Sequence, residues 1–573
     1  MTGSPVNTAA APQPDVRWRW LLALVVGVAL AGRLWGIDYG LPFSYWTDEY
    51  HELMRAMELG AGGFNFERTS KGGFYLLLFV EYGIYFAVLK LAGVVTSTHE
   101  FAELFARDPS MFYLIGRTTA AVFGCITVAA VFYLSRLAYT TMAGLIAAFL
   151  LAINVLHVDV SHRIGVDIPM TMLATLALYN GLRLADDGRR TSYVMAGLFA
   201  GLATTTKLPG ILLLLPLLIA HTYAVARSDG RVREWIGSRD LWIAASVFVG
   251  VLLVTNPGYF TYSNFGIHLF ASTGDALESD ELDAFGEADL VSRPNLYLFY
   301  LNAVSDSMGW PLFVVSLGAL AYALWKHTRA DVILVSYALI NYLAISGTSS
   351  EVLYYPRYAL PIIAVLAILA GRALSDLFLI LPSRRFAAGT AFLALVSAWP
   401  IVDAIKSDYT LTQNDTRTIA KDWFETNVPA GATVLIEGGK TGPSRESVPL
   451  HESRASLERR VAHWKEVEPK QAKFLEFKLA AEEGTGYELE LVKLKTLATL
   501  DEYAASGVDY FVVRPVYLME SRRAVPGASR LLEQLRKDPR VELLRRFDPA
   551  SHLQPGPVVE IYRLHGSGRP GPV

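Results

Sequence analysis

Eleven apolar runs follow one another between Trp18 and Ala404, and none follows beyond that point. They are Trp18–Trp35, Met111–Ala138, Met142–Leu156, Ile168–Leu184, Tyr193–Thr206, Leu208–Ala226, Leu241–Thr255, Met308–Trp325, Asp331–Ile345, Tyr358–Leu374 and Phe386–Ala404. A helix that crosses a bilayer needs about 20 predominantly apolar residues, so the pattern predicts a mostly α-helical, polytopic transmembrane bundle over residues 17–405. A twelfth run, Phe74–Val95, carries Glu81 near its middle and stands apart.

Basic residues favour the cytoplasmic ends of short loops. With the eleven runs crossing alternately, Arg17/Arg19, Arg136, Arg183/Arg189/Arg190, Arg227/Arg231/Arg233/Arg239, Lys326/Arg329 and Arg372/Arg384/Arg385 all fall inside. Arg33 and Arg117 are single exceptions. A further crossing by Phe74–Val95 would turn all the later groups outward, so this run is expected to be an interfacial or re-entrant helix on the outer side. Four stretches then share the outer face: Asp38–Gly73, His157–Asp167, Asn256–Asn295 and Ser346–Arg357.

From Asp408 the periodicity changes. Asp415-Thr416-Arg417 opens a helical pattern through Trp423, and Thr433–Ile436, Tyr510–Val513, Val541–Leu544 and Val558–Tyr562 read as strands. Helical segments such as Ser529–Lys537 lie between them, so residues 406–573 are predicted to form an extracytoplasmic α/β domain. Glu452–Lys495, dense in Lys and Glu, is expected to be a solvated helical or loop face. The domain carries no phosphate loop and no triad pattern, which points to support or recognition.

Composition agrees with this division. Hydrophobic residues make up 52% and charged residues 18% of the 573, against about 25% charged in soluble proteins. A net charge of −3 without a dense basic patch excludes a nucleic-acid partner. The single cysteine, Cys125, lies in an apolar run and reads as a small buried hydrophobe. Residues 1–16 read as a disordered cytoplasmic tail, and the run that follows lacks a cleavage site.

Candidate chemistry lies in the outer stretches. Tyr45-Trp-Thr-Asp-Glu-Tyr-His51 places Asp48 and Glu49 at a helix start. There, acids complement the helix dipole, and a general base could equally be held beside a cation. Lys71, flanked by Gly72 and Gly73, can meet a phosphate or reach out of the membrane surface as an anchor. His157-Val-Asp-Val-Ser-His-Arg-Ile-Gly-Val-Asp167 gathers many polar groups near a bilayer, a cost that calls for convergence on a site. Lys207 sits between two apolar runs, and Arg357 at an outer helix start, where an anion gains a guanidinium and free N–H groups. His268 reads as structural.

The order of these pieces resembles the GT-C glycosyltransferases of the protein mannosyltransferase and aminoarabinose transferase group, glycosyltransferase family 39. Asp48-Glu49 is similar to the acidic motif of that family's first loop. Lys71 matches its basic position, with Gly72-Gly73 where prolines usually follow. Ser161-His-Arg-Ile-Gly-Val-Asp-Ile-Pro169 is similar to its second-loop segment, with His162 in the place usually held by Arg and Arg163 shifted by one. Lys207-Leu-Pro-Gly, Asn256-Pro-Gly-Tyr and Pro356-Arg-Tyr-Ala-Leu-Pro361 continue the likeness in order.

The resemblance implies a GT-C bundle of about 11 spans in a bacterial inner membrane, taking a polyprenyl-phosphate-linked sugar from the outer leaflet. It implies transfer with inversion to a hydroxyl on a glycan, lipid or protein acceptor. Asp48 would act as base and Glu49 as its helper. Lys71, His162 or Arg163, Lys207 and Arg357 would hold the donor phosphate. Asp167 would be a supporting acid or acceptor ligand, and Asp48 and Asp167 are candidates for a divalent metal. A transporter or flippase for a lipid-linked substrate, an O-antigen-type ligase using a diphosphate-linked glycan, and a non-catalytic scaffold are the alternatives.

Overall fold

A computed structural model describes residues 17–60, 71–227, 232–257, 295–347, 355–380, 386–439, 442–467, 469–481, 485–493, 497–515 and 526–565. The expected N-terminal tail and His268 lie outside the described residues. The first part of the chain is a helical bundle built on one large apolar core, and the second is a small domain around a mixed sheet. The chain is a multi-pass membrane protein. Six described helical runs are long and apolar enough to cross a bilayer: Gly72–Leu91, Ser110–Ala138, Leu208–Arg227, Arg329–Ser346, Pro356–Phe378 and Ala387–Asn427.

The helices of the first half are α1 (Arg17–Leu34), α2 (Thr47–Gly60), α3 (Gly72–Leu91), α4 (Thr98–Arg107), α5 (Ser110–Ala138), α6 (Thr141–Ala152), α7 (Val155–Val160), α8 (Asp167–Asp187) and α9 (Arg190–Thr206). A 3-10 turn, Leu208–Leu213, leads into α10 (Leu214–Arg227). Two expected spans are broken. Met142–Leu156 stops at Ile153, and Asn154 caps the short helix that follows by accepting from the His157 N–H at 3.0 Å. Met308–Trp325 is part of a pair, Leu296–Met308 and Trp310–Lys326, bent by 115°. The bend falls on Gly309, whose φ of +72° favours glycine and where a Cβ would lie 2.8 Å from Trp399. The twelfth run, α3, has the length and composition of a span. Glu81, which set it apart in the sequence, accepts a 2.7 Å hydrogen bond from Thr119 on α5.

Helix Leu360–Ile380 is the most deeply enclosed of these runs. It meets α6 backbone to backbone: a Cβ on Gly371 would stand 2.5 Å from the Ala143 carbonyl. Near its C-terminal end Arg372 is buried against Asp331, which also accepts from Tyr139 at 2.7 Å and from Thr328 at 2.6 Å. Arg33 and Arg117, which run against the charge distribution of the loops, are both fully buried in the protein. Neither therefore reports on sidedness.

The C-terminal domain alternates as its strands require. In strands Thr433–Gly439, Tyr510–Val513 and Val559–Leu564, one set of side chains (Leu435, Phe511, Tyr562) faces helix Pro526–Lys537. The other set (Val434, Ile436, Tyr510, Val512, Val559, Ile561) faces helix Thr416–Asn427. The charged stretch Glu452–Lys495 holds more than a solvated face. It contains helices Arg454–Val467 and Pro469–Ala481 and a strand, Glu488–Val492, parallel to Thr433–Gly439. Two glutamates hide that strand in the sequence, and one of them, Glu488, pairs with Arg459 and accepts a hydrogen bond from Ser453.

Asp331→Ala strands the Arg372 guanidinium in the bundle. It is expected to cost about 3–5 kcal/mol, read as a fall in the thermal unfolding midpoint in detergent. An unchanged midpoint would mean that Asp376, 3.7 Å from Arg372, takes over the charge.

Candidate active site

Five chain segments bring charged groups together at one end of the bundle. Asp48 stands in the first turn of α2, Lys71 immediately before α3, Asp167 at the first residue of α8, and Lys207 immediately after α9. Arg357 lies in the 3-10 turn Pro356–Ala359 that opens helix Leu360–Ile380. Arg357 pairs with Asp48 at 2.7 Å and with Asp167 at 3.3 Å. Asp167 in turn holds Lys207 at 2.6 Å. The Lys207 ammonium also lies 3.8 Å from the Tyr358 ring centre, and the Arg357 guanidinium 4.0 Å from that of Tyr355. Lys71 pairs with Glu52, and its charge also feels Asp48.

The N-terminal ends of α2, α3, α8 and the Leu360 helix meet here, so backbone dipoles add to the cations in favouring an anion. Asp48 is the open member of the row, with 52% of its side chain exposed, while Asp167 keeps only 7%. Asp48 is thus a half-exposed carboxylate beside Arg357 and within reach of the Lys71 charge. Buried Asp167 orients Arg357 and Lys207.

Glu52 was not among the residues read from the sequence, although the signal was present. It lies four positions after Asp48 on α2 and therefore on the same helix face. Glu49 lies on another face and has no exposed side-chain surface. It accepts from Arg117 Nε at 2.9 Å and Nη2 at 2.7 Å, from the Ile164 N–H at 2.9 Å and from Ser44 at 3.1 Å. With its oxygens filled in this way, Glu49 has no capacity left to share a proton with Asp48. The expected helper is a structural anchor in geometry.

The stretch His157–Asp167 divides. Asp167 enters the row, whereas His157 turns inward to Arg33 at 2.7 Å. His162 is buried, with its ring nitrogens 2.9 Å from the Val158 carbonyl and 3.1 Å from that of Trp35. Burial pushes its imidazole below the usual histidine range, and both ring nitrogens are engaged by backbone carbonyls. Arg163 is partly exposed, pairs with Asp159 at 2.6 Å and lies 4.6 Å from the Trp46 ring centre. Of the pair His162 and Arg163, only Arg163 presents a cation at the surface.

Asp48 and Asp167 do not fit a shared divalent ion. The Arg357 guanidinium already stands between the two carboxylates, and no cluster of three or more His, Cys, Asp or Glu suited to a metal occurs among the described residues.

Glu49→Ala and Asp48→Ala separate the two acids physically. The first is expected to cost about 3–5 kcal/mol by stranding Arg117, and the second about 0–1 kcal/mol because its pair is half exposed. Thermal midpoints of the two variants measure this. Equal losses would mean that Asp48 is as much a structural group as Glu49.

Residues 111–258 match the family model of dolichyl-phosphate-mannose-protein mannosyltransferases. This segment runs from α5 through α10 and helix Arg239–Thr255, and holds Asp159, His162, Arg163, Asp167 and Lys207. No curated protein matches the chain. Among solved structures it is similar to ArnT from Cupriavidus metallidurans bound to undecaprenyl phosphate, at 13% identity and a TM-score of 0.48, covering 97% of this chain and 100% of that one. It is also similar to the apo oligosaccharyltransferase of Archaeoglobus fulgidus, at 13% identity and a TM-score of 0.49, covering 89% of this chain and 71% of that one. The motif order of the outer stretches and the family model over residues 111–258 thus point to the same group, the GT-C glycosyltransferases of the mannosyltransferase type.

Proposed function

We propose that this chain is a membrane glycosyltransferase that moves a sugar from a polyprenyl-phosphate donor to an acceptor hydroxyl, with inversion at the anomeric carbon. The observation that carries this reading is the row Asp48–Arg357–Asp167–Lys207, with one carboxylate open at its end. Such a row suits a reaction in which one group loses a proton while another leaves as a phosphate. A transporter for a lipid-linked substrate would be better served by ionisable groups near the bilayer midplane. These lie at one end of the helices.

In the proposed reaction the acceptor oxygen attacks the anomeric carbon as the bond from that carbon to the phosphate oxygen breaks. The hydroxyl proton passes to Asp48. The electron pair of the broken bond stays on the phosphate, whose added negative charge is met by Arg357, Lys207 and Lys71. Arg163 is assigned to the rim of the phosphate site and Asp167 to the aiming of Arg357 and Lys207. Glu49 holds the loop that carries the base. The site faces the outer side of a bacterial inner membrane, with the C-terminal domain on the same side.

Membranes containing the protein, supplied with labelled polyprenyl-phosphate sugars, test the reading. Wild type should release polyprenyl phosphate and form a labelled product. Asp48→Asn should lower the rate by about a hundredfold or more, the range of a lost general base. Arg357→Lys keeps a charge but cannot serve two partners in one plane, and should lose at least about tenfold. Full activity in Asp48→Asn would remove Asp48 as base, and no donor consumption by wild type would sink the transferase reading.

A further inference from the structure

The loop that precedes Asp48 is held by the C-terminal domain as well as by the bundle. The Arg445 guanidinium donates to the Phe43 carbonyl at 2.6 Å and lies 4.4 Å from the Tyr50 ring centre, so it grips the chain on both sides of Asp48. The Tyr45 hydroxyl is 2.6 Å from that of Thr418, and the Arg417 guanidinium covers the Tyr45 ring at 3.8 Å. The Tyr39 hydroxyl donates to Asp415 at 2.5 Å. Burial pushes this hydroxyl well above the usual tyrosine range, and the Asp415 carboxylate adds to the shift, so it remains a donor. Asp415 and Arg417 are themselves paired at 2.7 Å, and Arg417 donates to the Arg445 carbonyl at 3.2 Å. The clasp is therefore one connected unit.

A domain that only tethered or recognised an acceptor would not need this geometry. Asp48 is half exposed, so the backbone of residues 43–50 aims it more than its own contacts do. Ser44 holds a φ of +51°, a conformation that an unrestrained serine avoids. Two buried systems over-determine this backbone: Arg117–Glu49 from the bundle and the Arg445–Arg417–Asp415 unit from the sheet domain.

We propose that the C-terminal domain is a positioning device for Asp48, with Arg445 as the residue through which it acts. The proposal rests on the transferase reading, in which Asp48 is the base. Loss of the clasp leaves the cations of the phosphate site in place and lets the base drift. It should therefore appear in turnover and not in donor binding.

The test uses the full-length protein in membranes. Arg445→Ala is expected to lower kcat by about ten- to a hundredfold, the cost of misplacing a catalytic group by about 1 Å, with the donor KM unchanged. Arg445→Lys, which keeps a donor for the Phe43 carbonyl and a cation over Tyr50, should recover most of the loss. Tyr45→Phe removes one hydroxyl from the clasp without emptying any space, and should lose about two- to tenfold in kcat, the range carried by a single hydrogen bond.

Backbone hydrogen exchange over residues 38–50 supplies an arm that needs no turnover. It should quicken by a similar factor of about two to ten in Arg445→Ala and return in Arg445→Lys. Unchanged exchange overturns the clasp whether or not sugar is transferred. Faster exchange with full kcat shows a clasp that does not position the base. A raised KM at unchanged kcat assigns the domain to donor recognition instead. A wild type that transfers no sugar while exchange responds as expected defeats the transferase reading and leaves the clasp standing.

Discussion

Glu49 and Arg117 form an ion pair without an exposed side-chain atom, and the geometry of the whole end of the bundle that carries the charged row depends on it. A buried pair of this kind is costly to form and costlier to break, because removal of either partner leaves a bare charge in an apolar setting. Its value here lies in what it ties together. Arg117 rises from α5, the 29-residue span, and also donates at 2.8 Å to the carbonyls of Ile37 and Tyr39. Glu49 also accepts from the Ile164 N–H, three residues before Asp167. One span, the first loop and the second loop are therefore fixed to one another at a single point. The carboxylates of Asp48 and Asp167 are carried on the two loops so joined.

The same logic explains the C-terminal domain's contribution. Its sheet supplies a rigid platform with apolar layers on both faces, and helix Thr416–Asn427 begins directly against the first loop. Gly556 shows how close the packing at this junction is: it has a φ of +104°, and a Cβ there would stand 2.2 Å from the Thr416 hydroxyl. Loop, platform and bundle meet within a few residues of Asp48, so the mobile part of a half-exposed acid is reduced to its own side chain.

Much of this was legible in the sequence because the signals are local. Four of the strands and the helix starts at Asp48, Asp167 and Arg357 follow from neighbours in the chain, whereas the change of period read at Asp408 falls inside a helix, Phe386–Leu411, that runs on past it. The different settings of Asp48 and Glu49 were not legible because two adjacent acids look alike in sequence, whereas on a helix they point about 100° apart, which follows from 3.6 residues per turn. Glu52 was missed because its partner, Lys71, comes from a different element. The side-chain partners of Arg33 and Arg117, His157 and Glu49, lie 124 and 68 residues away, and nothing at short range distinguishes such arginines from exposed loop arginines. The strand Glu488–Val492 was hidden for a related reason: the cation that pairs with Glu488, Arg459, comes from a separate element, helix Arg454–Val467.

The row of alternating charges has one more consequence for order of events. Arg357 is shared between Asp48 and Asp167, but the two acids hold it unequally. Asp167 is buried and bound a second time through Lys207, whereas Asp48 is half exposed. An anion that arrives at Arg357 competes with the weaker holder, so Asp48 yields first. Released from its guanidinium, Asp48 loses its nearest cation and keeps its exposed face. In the proposed reaction, a phosphate that arrives at Arg357 would free the neighbouring carboxylate, Asp48. The proposed order of events is then donor phosphate first and proton transfer second.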